Sequence, residues 1–299
     1  MEAHIISLLE KHTGVKGRFP GGQPVSIEYK HFPILRNNQY LVCEKTDGQR
    51  YVLVLTIWEN KKVCVFVNRK MEMFESKMFF NREIHNDTIL DGELYDGNQY
   101  LVYDCYVHKG ESLLKEIFTT RWQRVLEIVN YKYKALKNDS IKVASKTFHI
   151  LQDFDVFQKE YLPHVTQRTD GLIFTPTNDP VMFGTQETMF KWKPQEKNTV
   201  DFQMVRGDKT WRLYVQEKGK LYYESELPPN TPEEDWFEEG AIVECQYMFD
   251  DIPMWWKPLL RRHDKTYPNN RRTFYRTLVN IKEDIKMDDF YNLSKEMNL

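Results

Sequence analysis

The chain has 299 residues, a formal net charge of −2 and 41% hydrophobic residues, enough apolar material for one large domain or two. The near-neutral charge argues against a protein that binds nucleic acid over an extended surface, because the affinity of such proteins comes mainly from many phosphate contacts. No run approaches the roughly 20 apolar residues of a membrane span, and the N-terminus lacks a basic-then-apolar signal pattern. We therefore expect a soluble, intracellular protein with no membrane partner.

The predicted elements begin with a short amphipathic helix over residues 1–12, followed by a loop rich in Gly and Pro over residues 13–39. Two apolar, β-branched strands come next, at residues 40–43 and 51–57. Between them lies a polar segment that contains Lys45 and ends in Asp47-Gly48, a typical turn pair. We expect a hairpin with Lys45 in its turn, at the lip of a sheet.

Further strands are predicted up to residue 104, and a long amphipathic helix from Glu111 to Leu136. A second helix is expected from Asp153 to His164, before strands resume at residues 172–175 and 189–192. This order predicts an α+β first domain over residues 1–194.

After residue 194 the pattern changes to short strands without a long helix, at residues 199–205, 210–216, 221–224 and 241–249. Such spacing favours a small antiparallel β-barrel, which we assign to residues 195–284. The tail, from Met287 to Met297, reads as an amphipathic helix that packs back on the first domain as part of residues 285–299. The four cysteines are widely spaced without a C-x-x-C motif, which predicts buried free thiols and a reducing compartment.

Lys45 becomes informative through the motifs that follow it. An isolated lysine beside Asp-Gly is normally a solvated turn residue, with a pKa near ~10.4 and little nucleophilic character. Here the K-x-D-G-x-R pattern resembles the covalent nucleotidyltransferases, which include mRNA capping guanylyltransferases and polynucleotide ligases. Five further segments match that family's motifs in order: Asn68-Arg69, Leu90-Asp91-Gly92-Glu93-Leu94, Leu101-Val102-Tyr103-Asp104, Thr169-Asp170-Gly171-Leu172-Ile173-Phe174 and Phe190-Lys191-Trp192-Lys193-Pro194.

Two segments separate the capping enzymes from the ligases. The lead-in from Arg18 to Ser26 resembles the F/L-P-G-x-x-P-V-S pattern of guanylyltransferases, and Arg262-His263-Asp264-Lys265 resembles their R-x-D-K motif. The resemblance runs from about Arg18 to the C-terminus and is closest to the compact guanylyltransferases of large DNA viruses. It implies a nucleotidyltransferase domain rich in antiparallel sheet, followed by an OB-fold.

The resemblance also implies a reaction. Neutral Lys45 would attack the α-phosphorus of GTP, expel pyrophosphate and form a lysyl-GMP, which an RNA 5′-diphosphate then displaces to give the cap. Lys191 and Lys193 would hold the α-phosphate and supply positive charge that favours the neutral amine. Arg262, Asp264 and Lys265 would bind the β- and γ-phosphates once the second domain swings over the site.

The implied nucleoside contacts are Tyr103 on one face of guanine, Ile173 on the other and Lys146 at the O6 edge. Arg50 and Arg69 are the natural ribose and phosphate contacts. With Glu44 beside the nucleophile, the predicted GTP-binding set is Glu44, Arg50, Arg69, Tyr103, Lys146, Ile173, Lys191 and Lys193.

Glu93 and Asp170 each lie beside a glycine at the predicted end of a strand. Two carboxylates together with substrate phosphates suit Mg²⁺ or Mn²⁺. Asp170 has a second interpretation, in which it only pairs with Lys45 or Arg50. Asp201 is predicted as a supporting ligand or as an interdomain anchor.

Two other functions stay open at this point, an ATP-dependent DNA or RNA ligase that uses the same lysine chemistry and a catalytically inactive binding module. Nothing before Lys45 or after the predicted barrel is long enough for an RNA triphosphatase or a cap methyltransferase, so we expect those activities elsewhere, on separate partners or on a longer parent chain. The expected place of action is the host nucleus, a cytoplasmic viral factory or a virion.

Overall fold

The computed structural model describes residues 1–263 and 265–297, which form two compact units. Unit 1 comprises Met1–Val25, Phe32–Trp192 and the chain from Phe290 onward, and unit 2 comprises Ser26–His31 and Lys193–Asp289. No helix of the described residues is long and apolar enough to cross a membrane.

Unit 1 contains most of the regular structure. Its helices are α1 (Glu2–Thr13), α2 (Phe32–Asn37), α3 (Phe118–Glu127) and α4 (Phe154–Val156). Its strands are β1 (Gly22–Ser26), β2 (Tyr40–Thr46), β3 (Gln49–Trp58), β4 (Lys61–Asn68), β5 (Met73–Glu75), β6 (Phe79–Phe80), β7 (Thr88–Tyr95), β8 (Gln99–His108), β9 (Glu111–Ser112), β10 (Tyr133–Lys134), β11 (Lys142–Ser145), β12 (His149–Ile150), β13 (Thr169–Pro176) and β14 (Gly184–Trp192).

Two sheets of unit 1 carry the motifs. One has five strands in the order β1-β14-β13-β2-β12, and the other has seven, ordered β11-β8-β7-β3-β4-β5 with β9 paired to β8. A further pair joins β10 to β6. Because β2 and β3 belong to different sheets, the prediction of a hairpin is wrong. Lys45 lies within β2, and Asp47-Gly48 connects the two sheets.

The seven-stranded sheet is covered on both faces, as the alternation along β3 requires. Leu53 and Leu55 pack on the side of α3, together with Val125 and Ile128. The valines that alternate with them, Val52 and Val54, face α1. The alternate faces of β3 therefore belong to two separate cores.

Several predicted boundaries differ from the structure. The predicted helix from Glu111 to Leu136 shortens to α3, extended by a π-helix over Ile128–Lys132, because residues 111–112 pair with β8. The predicted loop over residues 13–39 contains β1, a 3₁₀-helix and α2. The second predicted helix is a run of α4 with 3₁₀ and π turns, Leu151–His164.

Unit 2 is built on a five-stranded antiparallel sheet. Its strands are β15 (Thr199–Arg206), β16 (Trp211–Glu217), β17 (Lys220–Glu226), β18 (Ile242–Met248) and β19 (Trp255–Arg261), in the order β17-β16-β15-β18-β19. The edge strands β17 and β19 also approach each other. The curled sheet is consistent with an OB-fold, which stays a prediction.

Two helices complete the described chain. The first, α5 (Arg271–Glu283), begins at Asn270, whose side chain accepts a hydrogen bond from the Thr273 amide, and it packs Phe274 into the core of unit 2. Its presence contradicts the prediction of a second domain without a long helix. The second, α6 (Met287–Met297), has the predicted bounds, and its Phe290 packs against Phe174 and Trp192 of unit 1. All four cysteines are buried and free, as predicted.

Candidate active site

A cavity of about 170 Å³ in unit 1 is lined by residues of both large sheets. The predicted residues that it brings together are Glu44, Lys45, Arg50, Arg69, Glu93, Tyr103, Lys146 and Ile173. These residues come from motifs that lie up to more than a hundred positions apart in the sequence. Strand pairing within the two sheets brings them to the same cavity.

Lys45 is held opposite Gly171 across the β2/β13 pair. Its Nζ lies 2.8 Å from Oδ1 and 3.0 Å from Oδ2 of Asp170. The lysine side chain is 27% exposed and the aspartate side chain 17%, so the pair is partly accessible to solvent. Asp170 therefore forms the ion pair that its second interpretation predicted. Before Lys45 can attack, its amine must lose both a proton and this partner.

Glu93 lies within β7, opposite Arg50 of β3, and not at the end of a strand as predicted. Burial raises the pKa of its carboxyl to about 7, although the positive charges of Lys45 and Arg50 act in the opposite direction. Near neutral pH this carboxyl is thus divided between its acid and its carboxylate forms. A cation brought into the cavity would favour the carboxylate.

Arg50 is anchored in the wall of the cavity. Its Nε and Nη2 donate to the two oxygens of Asp91, at 3.0 and 2.6 Å, and its Nη1 donates to the Gly22 carbonyl. The guanidinium also lies over the rings of Phe19 and Tyr103, 5.4 and 5.8 Å from their centroids. Most of its donors are therefore committed to the protein, and Arg69, which is exposed, has more freedom to meet a phosphate.

Lys146 is almost fully buried at 4% exposure, and so is Glu44 at 1%. The Lys146 Nζ lies 2.8 Å from the Glu44 Oε1 and donates to the Thr46 hydroxyl. Gln167 donates to the same Glu44 oxygen at 2.9 Å. Burial raises the pKa of the nearby Tyr161, and the Glu44 carboxylate raises it further, so this phenol stays neutral.

Among the described residues of unit 1, Lys191 and Asp170 do not line this cavity. Lys191 lies in β14 directly opposite Ile173, while Asp170 contacts the cavity residue Lys45. Lys193 belongs to unit 2. Asp264 lies outside the described residues.

Asp201 is in unit 2 and serves two cations there. It accepts hydrogen bonds from Arg262 Nη1, at 3.1 and 3.4 Å, and from Lys265. Arg262 also lies 3.3 Å from Glu244. Within unit 2, Asp201 thus contacts both Arg262 and Lys265, and its carboxylate is the counter-ion of these two cations.

Sequence reasoning missed a second buried pair beside the cavity. Arg121 of α3 donates from Nε and Nη2 to the two oxygens of Asp104, at 2.8 and 3.0 Å, and from Nη1 to the carbonyls of Glu116 and Asp179. Burial raises the pKa of Asp104, and Arg121 opposes that shift. An arginine at an apolar position of an amphipathic helix was the signal that could have identified this pair.

Comparison with known proteins agrees with the geometry. The family model for the mRNA capping enzyme catalytic domain matches residues 2–195. The chain is 32% identical to the mRNA-capping enzyme subunit alpha of Schizosaccharomyces pombe, over 93% of this chain and 80% of that protein. It belongs to the mRNA capping enzyme family.

A second relative is the mRNA-capping enzyme subunit alpha of Neurospora crassa, 32% identical over 67% of this chain and 58% of that protein. Among solved structures, a mycobacterial DNA ligase D complexed with ATP and MES superimposes with a TM-score of 0.43 and 13% identity, over 82% of this chain and 95% of that one. The prediction of an mRNA guanylyltransferase is confirmed at the level of the family. Both capping relatives are fungal, so a viral origin stays a prediction.

Proposed function

We propose that this chain transfers GMP from GTP to the 5′-diphosphate end of RNA through a covalent bond between GMP and Lys45. One observation carries the proposal. The Lys45 amine lies at a cavity whose wall also contains a half-titrated carboxyl, a cation free to bind phosphate, an aromatic ring and a buried ammonium. These are the groups that a purine nucleoside triphosphate requires.

The first step is an in-line displacement at the α-phosphorus. The Lys45 Nζ forms a P–N bond, the bond to the bridging oxygen breaks, and pyrophosphate leaves with that electron pair while the amine gives up its proton. In the second step the terminal oxygen of an RNA 5′-diphosphate forms a P–O bond and the lysine leaves, reprotonated. Dividing the transfer in this way predicts ping-pong kinetics.

The other cations stabilise charge on the phosphates, which is the main task in phosphoryl-type transfer. Lys191 is supported as an α-phosphate ligand because it lies across the strand pair from Ile173, at the same level as the cavity. We assign the same role to Lys193. Arg262 and Lys265 are proposed to bind the β- and γ-phosphates of GTP. These phosphates would compete with the Asp201 carboxylate for the two cations.

The residues around Lys45 fit a divalent cation of the Mg²⁺ type. Mg²⁺ binds one or two carboxylates together with phosphate oxygens and water, and Glu93 and Asp170 are two carboxyls that both interact with Lys45. Among the described residues no group of three acidic, His or Cys side chains forms a complete cage, so substrate oxygens would have to complete the set. When bound, the ion would neutralise phosphate charge. Glu93 and Asp170 would hold it.

The acceptor and the partners follow from this chemistry. We propose RNA with a 5′-diphosphate as the acceptor, a separate RNA triphosphatase to produce it and a separate cap methyltransferase to use the product. The site of action would be wherever such transcripts are made, in a host nucleus or in a viral factory.

The test is to mix the protein with labelled GTP or ATP and a divalent cation, denature it, and look for an acid-labile, alkali-stable adduct. We expect an adduct from GTP and little from ATP. The isolated adduct should transfer its label to diphosphate RNA but not to monophosphate RNA. An adduct formed mainly with ATP, or transfer to monophosphate ends, would support polynucleotide ligation instead.

A further inference from the structure

The buried pair of Glu44 and Lys146 links the two large sheets of unit 1 at the cavity. Glu44 lies in β2 of the five-stranded sheet. Lys146 follows β11 of the seven-stranded sheet, and its amide donates to the Val102 carbonyl at 2.8 Å. That carbonyl immediately precedes Tyr103. The lysine is thus tied by its backbone to the strand that carries one proposed base contact.

The other side of the pair is tied to the second base contact. Across the β2/β13 pair, Cys43 lies opposite Ile173, so Glu44 is one residue from that register position. The ion pair therefore links β2, the neighbour of the strand that carries Ile173, to the segment that is hydrogen-bonded beside Tyr103. Its position is fixed from both sheets.

The hydrogen bonds leave the lysine one donor for a ligand. A lysine ammonium has three N–H bonds. Among the described residues, one of these donates to Glu44 and a second to Thr46. Lys146 lines the cavity, so its third N–H is available to an acceptor there. At the six-position guanine presents a carbonyl acceptor, whereas adenine presents an amino donor.

Glu44 lines the cavity, but its side chain is almost completely buried. It is 1% exposed, and its Oε1 already accepts hydrogen bonds from Lys146 and Gln167. Through this ion pair Glu44 can act on a ligand by way of the lysine. The contacts with the Glu44 carboxylate and the Thr46 hydroxyl fix the direction of the Lys146 amine.

We propose that Glu44 is a positioning residue for purine selectivity, which holds the Lys146 amine in place so that its remaining N–H donates to a six-position carbonyl and finds no acceptor in a six-position amino group. This inference rests on the proposed function. It assigns to Glu44 a role different from the direct GTP contact predicted from the sequence.

The test compares adduct formation from GTP, ITP and ATP in the wild type and in Glu44→Gln. We expect the variant to lose roughly 10- to 100-fold of its preference for GTP over ATP, since a hydrogen bond to a charged group is at stake. ITP keeps the six-position carbonyl without the two-amino group, so it should fall in parallel with GTP. Glu127→Gln, which removes a partly exposed carboxylate paired with Arg124, is the matched control and should keep the wild-type ratio.

A double variant tests whether Glu44 acts through the lysine. In a Lys146→Met background, adding Glu44→Gln should leave the ratio of GTP to ATP unchanged, because the two residues act as one unit. A further fall in the double variant, or a fall with GTP that spares ITP, would overturn the proposal. If Glu44→Gln does not fold, Glu44→Asp withdraws the carboxylate while keeping its charge and should shift the ratio in the same direction.

The outcomes separate this inference from the proposed function. A wild-type protein that forms no adduct with any nucleotide would overturn the proposed function. A wild-type protein that prefers GTP, together with an unchanged preference in Glu44→Gln or Glu44→Asp, would overturn only the role of Glu44.

Discussion

At the residue scale, the candidate site is organised by ion pairs. Lys45 pairs with Asp170, Arg50 with Asp91 and Arg121 with Asp104, each through two hydrogen bonds. Buried pairs are a weak source of net stability, but they fix the direction of the side chains that they join. The cavity is therefore shaped before a substrate enters, which is what electrostatic stabilisation of a transition state requires.

The Arg121–Asp104 pair should be costly to break. Arg121→Ala leaves the buried Asp104 carboxylate without its partner, and we expect a loss of roughly 3–5 kcal/mol in the free energy of unfolding. The matched control is Arg124→Ala on the same helix, which removes a partly exposed pair with Glu127 and should cost about 0–1 kcal/mol. Urea denaturation of both variants measures the difference, and equal losses would contradict the structural role given to Arg121.

Glu93 makes stability depend on pH in a definite direction. Its folded pKa of about 7 lies above the ordinary value of 4.5, so between these values the folded state binds more protons than the unfolded state. Stability from this group is therefore lost as the pH rises through that window. We expect the stability of Glu93→Gln relative to wild type to increase as the pH rises from about 4.5 to about 7, measured in urea with a chelator present. A difference that does not change with pH would contradict the shift.

The sequence allowed the reactive residues to be predicted but not their partners. Lys45, Glu93 and Ile173 each occur in a short motif that can be read locally. The partners of Arg50 and Lys146 depend on strand register between distant segments, such as Glu93 opposite Arg50, and no local pattern specifies that register. For the same reason Asp91, Asp104 and Tyr106 were not identified as part of the cavity wall.

At the element scale, the predictions were best where one apolar pattern coincided with one element. Helix α6 has the predicted bounds because its amphipathic pattern is short and lies between polar segments. The expected hairpin at Lys45 was wrong. The Asp47-Gly48 pair favours a tight turn, but such a turn can connect strands of two different sheets as well as two paired strands. The long helix predicted from Glu111 was wrong at its start, because residues 111–112 pair with β8 and tertiary pairing overrides helical spacing.

Helix α6 should be required for the stability of unit 1. Phe290 is fully buried among the rings of Phe32, Phe154 and Phe174. Phe290→Ala should cost roughly 3–5 kcal/mol, through lost contacts and the cavity left behind. Asn292→Ala, at an exposed position of the same helix, should change stability by less than about 0.5 kcal/mol. Thermal unfolding compares the two, and a Phe290 variant as stable as the control would rule out this docking.

At the scale of the whole molecule, the two units divide the predicted phosphate ligands. Lys45, Glu93 and Lys191 are in unit 1, and Arg262 and Lys265 are in unit 2. The change from mixed elements to short strands after residue 194 could be read from the sequence. Helix α5 could not, because its basic residues resemble a solvated loop and only Phe274, Leu278 and Ile281 face the core.

This division predicts unequal effects on the two half-reactions. Arg262→Ala and Lys265→Ala should slow adduct formation from GTP by roughly a hundredfold, the size of effect expected when a donor to transition-state charge is lost. Transfer from the isolated adduct to diphosphate RNA should suffer much less, because pyrophosphate has already left. Arg261→Ala, which removes a neighbouring cation paired with Glu238, is the control. Equal losses in both half-reactions would assign these side chains to RNA binding or folding.

The central claim is that Lys45 carries the nucleotide, and mapping the adduct tests it most directly. The protein is incubated with GTP and a divalent cation, digested, and the modified peptide is identified by mass spectrometry. We expect GMP on Lys45, and no adduct in Lys45→Ala or in Lys45→Arg, whose guanidinium stays protonated and cannot attack. GMP found on another lysine, or a full-strength adduct in either variant, would contradict the account.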